Sequence, residues 1–231
     1  MQTFKLANFL DRQGISRTHE VYILYNSLEQ YTTDDTWLAG GAVMSLIKGH
    51  KHNSDFDYFF GSQASLGNFY ANLIELGAVE TFRTPNAVTM SYGTAKLQLI
   101  SRKFYTNVEA ILKDFDLTIS MFVIDGENLV CGDYSLMDLA NREIRVEHVN
   151  ALGYTVKRLF KYGKKGFHIT PQAYTKMMEF FTVNPQLDLH ITNAVHELSS
   201  SSIESVTPRT TATPVFEQAV AQVGTVYSSN Y

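Results

Sequence analysis

Cysteine is almost absent from this 231-residue chain: Cys131 stands alone. That excludes an internal disulfide framework and any zinc site built from several thiolates, and it fits a reducing compartment, so a cytoplasmic location is expected. With no obvious base near it in sequence, Cys131 reads as an ordinary half-buried residue. Long apolar runs are missing too, and nothing approaches the roughly 18 residues that a membrane span needs. The segment from Met1 to Leu10 lacks the apolar run and cleavage site of a signal peptide. An excess of positive charge is also lacking, since 19 Lys and Arg face 23 Asp and Glu for a net charge of -4. An overall basic coat for nucleic acid is excluded, while a local basic patch is not. What remains is 45% hydrophobic and 18% charged, enough apolar material for a full core in one or two domains. The aromatic residues, 13% of the chain, are too many for one stacking platform and read mostly as core.

The densest chemical signal lies between Trp37 and Phe60. Gly40 and Gly41 precede a helical stretch starting near Ala42, and Asp55 and Asp57 open a strand that runs to Phe60. Residues two apart on a strand share a face, so Asp55 and Asp57 point one way while Phe56, Tyr58 and Phe60 point the other. Adjacent carboxylates suit Mg2+ (or Mn2+), which takes hard oxygen ligands and is usually held by one or two carboxylates plus substrate phosphates. Polymerase-type sites use two such ions to stabilise the attacking and leaving oxygens. A turn without side chains lets backbone N–H groups approach a triphosphate at the start of the helix. Each half has a plain reading, as a solvated acid pair and as a tight turn. The order strand, Gly-Gly, helix, loop, Asp-x-Asp favours the phosphoryl-transfer reading.

The segment from Leu38 to Phe60 resembles the signature of the DNA polymerase β-like nucleotidyltransferase superfamily, and within it the head domain of bacterial poly(A) polymerases and CCA-adding enzymes. Three later segments support the resemblance: Val88 to Ser101, similar to the strand pair after the Asp-x-Asp strand; Lys113 to Asp125, similar to the segment delivering the last strand; and Tyr134 to Val146, similar to the piece closing the head. Thr155 to Phe167 resembles the basic helix that opens the next domain. The resemblance implies Asp55 and Asp57 as catalytic metal ligands, an NTP as substrate, and RNA as a possible acceptor. Its third carboxylate position is taken by Gln98, which brings no negative charge. Met44 and Ser45 replace an Arg-Asp pair, and Lys113, Asp114, Phe115 and Asp116 replace a double-Arg segment. These departures argue against a CCA-adding enzyme.

Apolar spacing predicts helices around Phe4 to Leu10 and Val21 to Tyr31, a first strand at Thr36 to Ala39, a helix from Ala42 to Lys48, and the strand from Asp55 to Phe60. A helix from Ser65 to Leu76, a hairpin turning at Gly93 and Thr94, a short helix from Val108 to Leu112 and a strand from Leu117 to Ile124 follow. The expected fold is α/β (α+β), a mixed sheet flanked by helices. Residues 1–150 read as the head, 151–198 as a helical domain without strands, and 199–231 as a Ser/Thr/Pro linker with an amphipathic end. Lys157, Arg158, Lys161, Lys164 and Lys165 put five cations within nine residues, either a solvated helix face or a phosphate contact. The expected nucleotide-binding set is Gly40, Gly41, Lys48, Asp116, Lys157, Arg158 and Lys161. His50 and His52 read as solvated rather than as metal ligands, and His190 and His196 have the same standing. Residues 215–231 read as a docking segment for a protein partner or another copy of the chain. Two functions follow: a metal-dependent nucleotidyltransferase, or a silent module of that fold that works in assembly through its tail.

Overall fold

The structure, a computed structural model, describes residues 1–183. The chain runs β1 (Gln2–Lys5), α1 (Leu6–Arg12), α2 (Glu20–Glu29), β2 (Thr36–Ala39), α3 (Gly41–Ile47), β3 (Phe56–Phe60), α4 (Gln63–Glu75), β4 (Val79–Arg83), β5 (Ala87–Tyr92) and β6 (Ala95–Ile100). It continues through α5 (Val108–Leu112), a 3-10 turn (Thr118–Ser120), β7 (Phe122–Asp125), β8 (Asn128–Cys131), α6 (Ser135–Asn141), β9 (Glu143–Ile144), α7 (Leu152–Gly163), β10 (His168–Ile169) and α8 (Pro171–Val183). Eight strands form one mixed sheet in the order β1-β8-β7-β2-β3-β6-β5-β4. All its pairings are antiparallel except β3 with β6.

Strand alternation divides the side chains between two faces. Leu38, Phe56, Tyr58, Phe60, Leu97 and Leu99 enter the larger core, which the apolar stripes of α1 to α4 cover. Trp37, Ala39 and Phe59 join Tyr105, Ile111, Leu112, Met121, Val123 and Val130 in a smaller cluster capped by α5. The central strands β3 and β6 therefore carry apolar rows on one face, while Asp57 and Gln98 lie on the thinly covered other one. Among the described residues no helix is long and apolar enough to cross a membrane.

Several elements depart from the sequence expectation. Phe4 lies in β1, paired with Leu129 of β8, and only Leu6 onward is helical. The strand expected from Leu117 to Ile124 is broken. Leu117 makes one bridge to Val146, Thr118 to Ser120 coil into the 3-10 turn, and pairing resumes at Phe122. Thr118 is drawn inward because its hydroxyl donates to the fully buried Asp138 at 2.6 Å. The region after residue 150 is not purely helical, since His168 and Ile169 pair in parallel with Glu143 and Ile144. Leu159, Tyr162, Phe167 and Ala173 pack into the same core as the head. Cys131 is fully buried rather than half-buried, and burial pushes its thiol up to about 12. The linker and docking segment expected over 199–231 lie outside the described residues, as do His190 and His196.

Asp138 ties three elements together, accepting from Thr118 and, at 2.9 Å, from Arg145 Nε. Its removal strands the buried Thr118 hydroxyl and takes the closest counterion from the partly exposed Arg145, so Asp138→Ala is expected to lower the unfolding free energy by about 2–3 kcal/mol, measured by urea titration.

Candidate active site

The parallel register of β3 and β6 sets Asp57 opposite Gln98. Asp55 precedes β3 by one residue and lies two before Asp57, and Lys96 lies two before Gln98, so alternation gathers the four side chains on one face. Gln98 Nε2 donates to Asp55 Oδ2 at 2.7 Å. Lys96 Nζ stands 3.3 Å from both oxygens of Asp55. The position of a third carboxylate is thus occupied by an amide that binds one of the two that remain.

Asp57 accepts no hydrogen bond from any described residue. Its carboxyl is pushed up to about 7, first by loss of hydration and then by the like charge of Asp55, against the opposing fields of Lys161, Arg158 and Lys96. Gly40 lies against it. At φ +74° this glycine adopts a conformation other residues rarely reach, and a Cβ there would come to 3.3 Å from the Phe115 ring and 3.7 Å from Asp57 Oδ2. The Gly40 N–H already donates to Phe122 O at 2.9 Å, so it is not free to cradle a phosphate. Its missing side chain leaves space beside the carboxylate. A Cβ at Gly41 would meet only Ser54 Oγ, at 3.9 Å.

Asp57 and Gln98 line a cleft of about 460 Å³ whose other walls include Phe115, Asp116, Tyr154 and Arg158. The volume lies in the range of small-ligand sites. Asp116, 2% exposed, accepts through Oδ2 from Arg158 at 2.6 Å and Thr155 at 2.9 Å, while its Oδ1 has no partner. Asp116 therefore positions Arg158 across the seam between the sheet and α7. Tyr154, 67% exposed, presents its ring at the cleft, with Lys157 Nζ 5.9 Å from the ring centroid. Along α7, Tyr154, Arg158 and Lys161 recur at helical spacing on one face.

The expected nucleotide set divides accordingly. Gly40, Asp116, Arg158 and Lys161 gather around Asp57 and its cleft. Lys48 does not: it ends α3 over the Phe167 ring at 5.0 Å, with Arg142 as its charged neighbour. His52 is buried rather than solvated, its Nδ1 3.3 Å from Ser45 Oγ and its ring edge-on to Phe56, while His50 is exposed. Sequence reasoning missed Lys96, Phe115 and Tyr154. Lys96 carried a signal, the same-face spacing to Gln98, once β6 was assigned as a strand. Among the described residues no group of three or more His, Cys, Asp or Glu could hold a metal ion. The donor set fitting a divalent cation is Asp57, open and beside the space left by Gly40, with Asp55 as its neighbour.

A carboxyl raised from 3.8 to about 7 binds its proton more tightly folded than unfolded. Its contribution is present below the unfolded value and is lost as pH rises through about 7. Asp57→Asn is therefore expected to raise stability in metal-free buffer more at pH 8 than at pH 5, the two effects differing by about 2–3 kcal/mol. Urea titrations at the two pH values check this.

Comparison with known proteins agrees with this fold. The CCA-adding enzyme of Thermotoga maritima complexed with tRNA superposes with a TM-score of 0.65 at 16% identity, over 100% of this chain and 58% of that one. A tRNA nucleotidyltransferase with a primer tRNA and an incoming ATP analog gives 0.54 at 18% identity, over 71% and 52% of the respective chains. The fold is that of the polymerase β-like nucleotidyltransferases. Among curated proteins, the Gabija anti-defense 2 protein of Bacillus phage SPbetaL7 is 29% identical over 104 residues, 45% of this chain. An uncharacterized protein of Acanthamoeba polyphaga mimivirus is 27% identical over 180 residues, 63% of this chain. The matches span 26% and 38% of those two proteins. The family model of the Gabija anti-defense 2 proteins matches residues 4–142, which include β2, the Gly-Gly turn, Asp55, Asp57 and Gln98, and the chain belongs to that family.

Proposed function

We propose that this protein is a divalent-cation-dependent nucleotidyltransferase that moves a nucleoside monophosphate from an NTP to an acceptor hydroxyl, with pyrophosphate leaving, and that this transfer underlies the counter-defence role for which its family is described. The observation that carries the reading is Asp57, a carboxylate without a hydrogen-bond partner among the described residues, facing a cleft beside a glycine whose missing Cβ leaves space next to it. Mg2+ bound there supplies Lewis-acid polarisation of the α-phosphoryl group and neutralises triphosphate charge. Arg158, fixed by Asp116, and Lys161 contribute cationic charge near Asp57 for the phosphates, as point contacts that position without reading a base. Tyr154 offers an exposed ring against which a nucleobase can stack. Positioning and charge neutralisation are the main catalytic contributions, as in other phosphoryl transfers. The acceptor classes open to such a cleft are an RNA 3′ end, a protein side chain and a small molecule.

A second reading, nucleotide binding without chemistry, is favoured by one observation: Gln98 and Lys96 close on Asp55 where the superfamily pattern has a further carboxylate. The test is pyrophosphate release by the purified protein with each NTP, with and without Mg2+. Cation-dependent release is expected, reduced on the order of 100-fold or more in Asp57→Asn. Nucleotide binding without release across acceptor classes supports the second reading, and absence of both defeats the assigned site.

Lys161 is exposed and makes no ion pair among the described residues. Lys161→Ala is expected to lower kcat/KM for the NTP on the order of tenfold while changing stability by less than about 0.5 kcal/mol, checked by steady-state kinetics beside a thermal melt.

A further inference from the structure

The acids in and around the cleft differ in one respect that the sequence did not disclose. Asp114 accepts from Arg102, Lys103 and Tyr105. Asp116 accepts from Arg158 and Thr155. Asp55 accepts from Gln98 and has Lys96 Nζ 3.3 Å from both of its oxygens. Among the described residues, Asp57 alone of the four has no cation or hydrogen-bond donor placed directly on it.

We propose that the site takes one divalent cation, seated on Asp57, and that the Lys96 ammonium holds the position beside Asp55 that a second cation would need. The inference rests on the transferase reading and specifies its metal requirement. A second ion needs carboxylate oxygen of its own, and the donor set has none to spare. One oxygen of Asp55 is committed to the Gln98 amide, and both oxygens face a fixed-sign charge that repels an incoming divalent ion. Gln98 offers a second ion only the neutral oxygen of its amide, which brings no negative charge to offset it.

Charge balance points the same way. Two carboxylates and one ammonium leave a single net negative charge on the quartet of Asp55, Asp57, Lys96 and Gln98. One divalent ion turns that into a single net positive charge facing the triphosphate. A site of three carboxylates requires two divalent ions to reach the same value. The amide and the lysine are thus a paired departure: replacing the acid by Gln98 and adding Lys96 each remove the need for one further positive charge. Lys96 is also a charge that the protein carries permanently, delivered by the strand that pairs with β3.

The experiment is a Mn2+ titration followed by electron paramagnetic resonance, with metal alone, on the wild-type protein, Asp57→Asn, Lys96→Met, and Lys96→Met combined with Gln98→Glu. Lys96 is more than half exposed, so Lys96→Met is expected to fold as the parent does and serves as the variant that keeps the test valid if the double variant is unstable. The expected result is one site in the wild type, its loss in Asp57→Asn, tighter Mn2+ binding by severalfold in Lys96→Met, and a second, spin-coupled site in the double variant. Two sites in the wild type overturn the single-cation inference and leave the transferase reading standing. Binding in Lys96→Met no tighter than in the wild type removes the role assigned to Lys96. No site in the wild type overturns the inference, while pyrophosphate release remains the test of the reading beneath it.

Discussion

Two carboxylates one pleat apart at the head of a central strand repel each other, and much of what surrounds them answers that repulsion. Asp55 is relieved by Lys96 and Gln98, which reach it from the neighbouring strand. Asp57 is not relieved by any direct contact, only by the more distant fields of Lys161, Arg158 and Lys96. The fold keeps it in this state by packing Phe56, Tyr58 and Phe60 into the large core on the opposite face, which fixes the side to which Asp57 points. A one-residue slip of β3 would bury the carboxylate among aromatic rings and expose those rings to water, so the register is set as firmly as the core itself. The unfavourable charge placement is sustained by apolar burial elsewhere in the same strand.

The parts of the molecule that were legible in the sequence are those governed by short-range rules. Alternation from Asp55 to Phe60 assigned the two faces of β3, and the boundaries of α5 and of the hairpin at Gly93 and Thr94 followed from local patterning. The parts that were not legible depend on pairing across long separations. Lys96 acquires its meaning only from a parallel register with β3, some forty residues earlier in the chain. The stretch from Leu117 to Ile124 reads as a strand by composition, yet the hydroxyl of Thr118 finds a better partner in the buried Asp138 than an extended ladder would offer. His52 looked like one more polar residue in a lysine-containing loop, and only the packing of the loop against Phe56 shows that its ring is covered.

The role of the two glycines changes in the same way. The sequence suggested a backbone cradle, whereas the Gly40 N–H is engaged with Phe122 and α3 is only seven residues long. Gly40 matters through its missing side chain: it is a gap kept clear between an aromatic ring and a carboxylate. Of the two glycines only Gly40 has a positive φ and a close approach to the carboxylate.

Asp116 has a consequence for modularity. The segment matched by the family model ends at residue 142, but the carboxylate of Asp116, buried inside that segment, depends on Thr155 and Arg158 from the helix beyond it. A fragment cut at the family boundary would keep every acid of the site and yet remove both side chains from which Asp116 accepts. The sheet that carries the acids and the basic helix are therefore tied by these contacts, and transplanting the former into another protein without the latter would carry over the motif but not the wall of the cleft that the helix supplies.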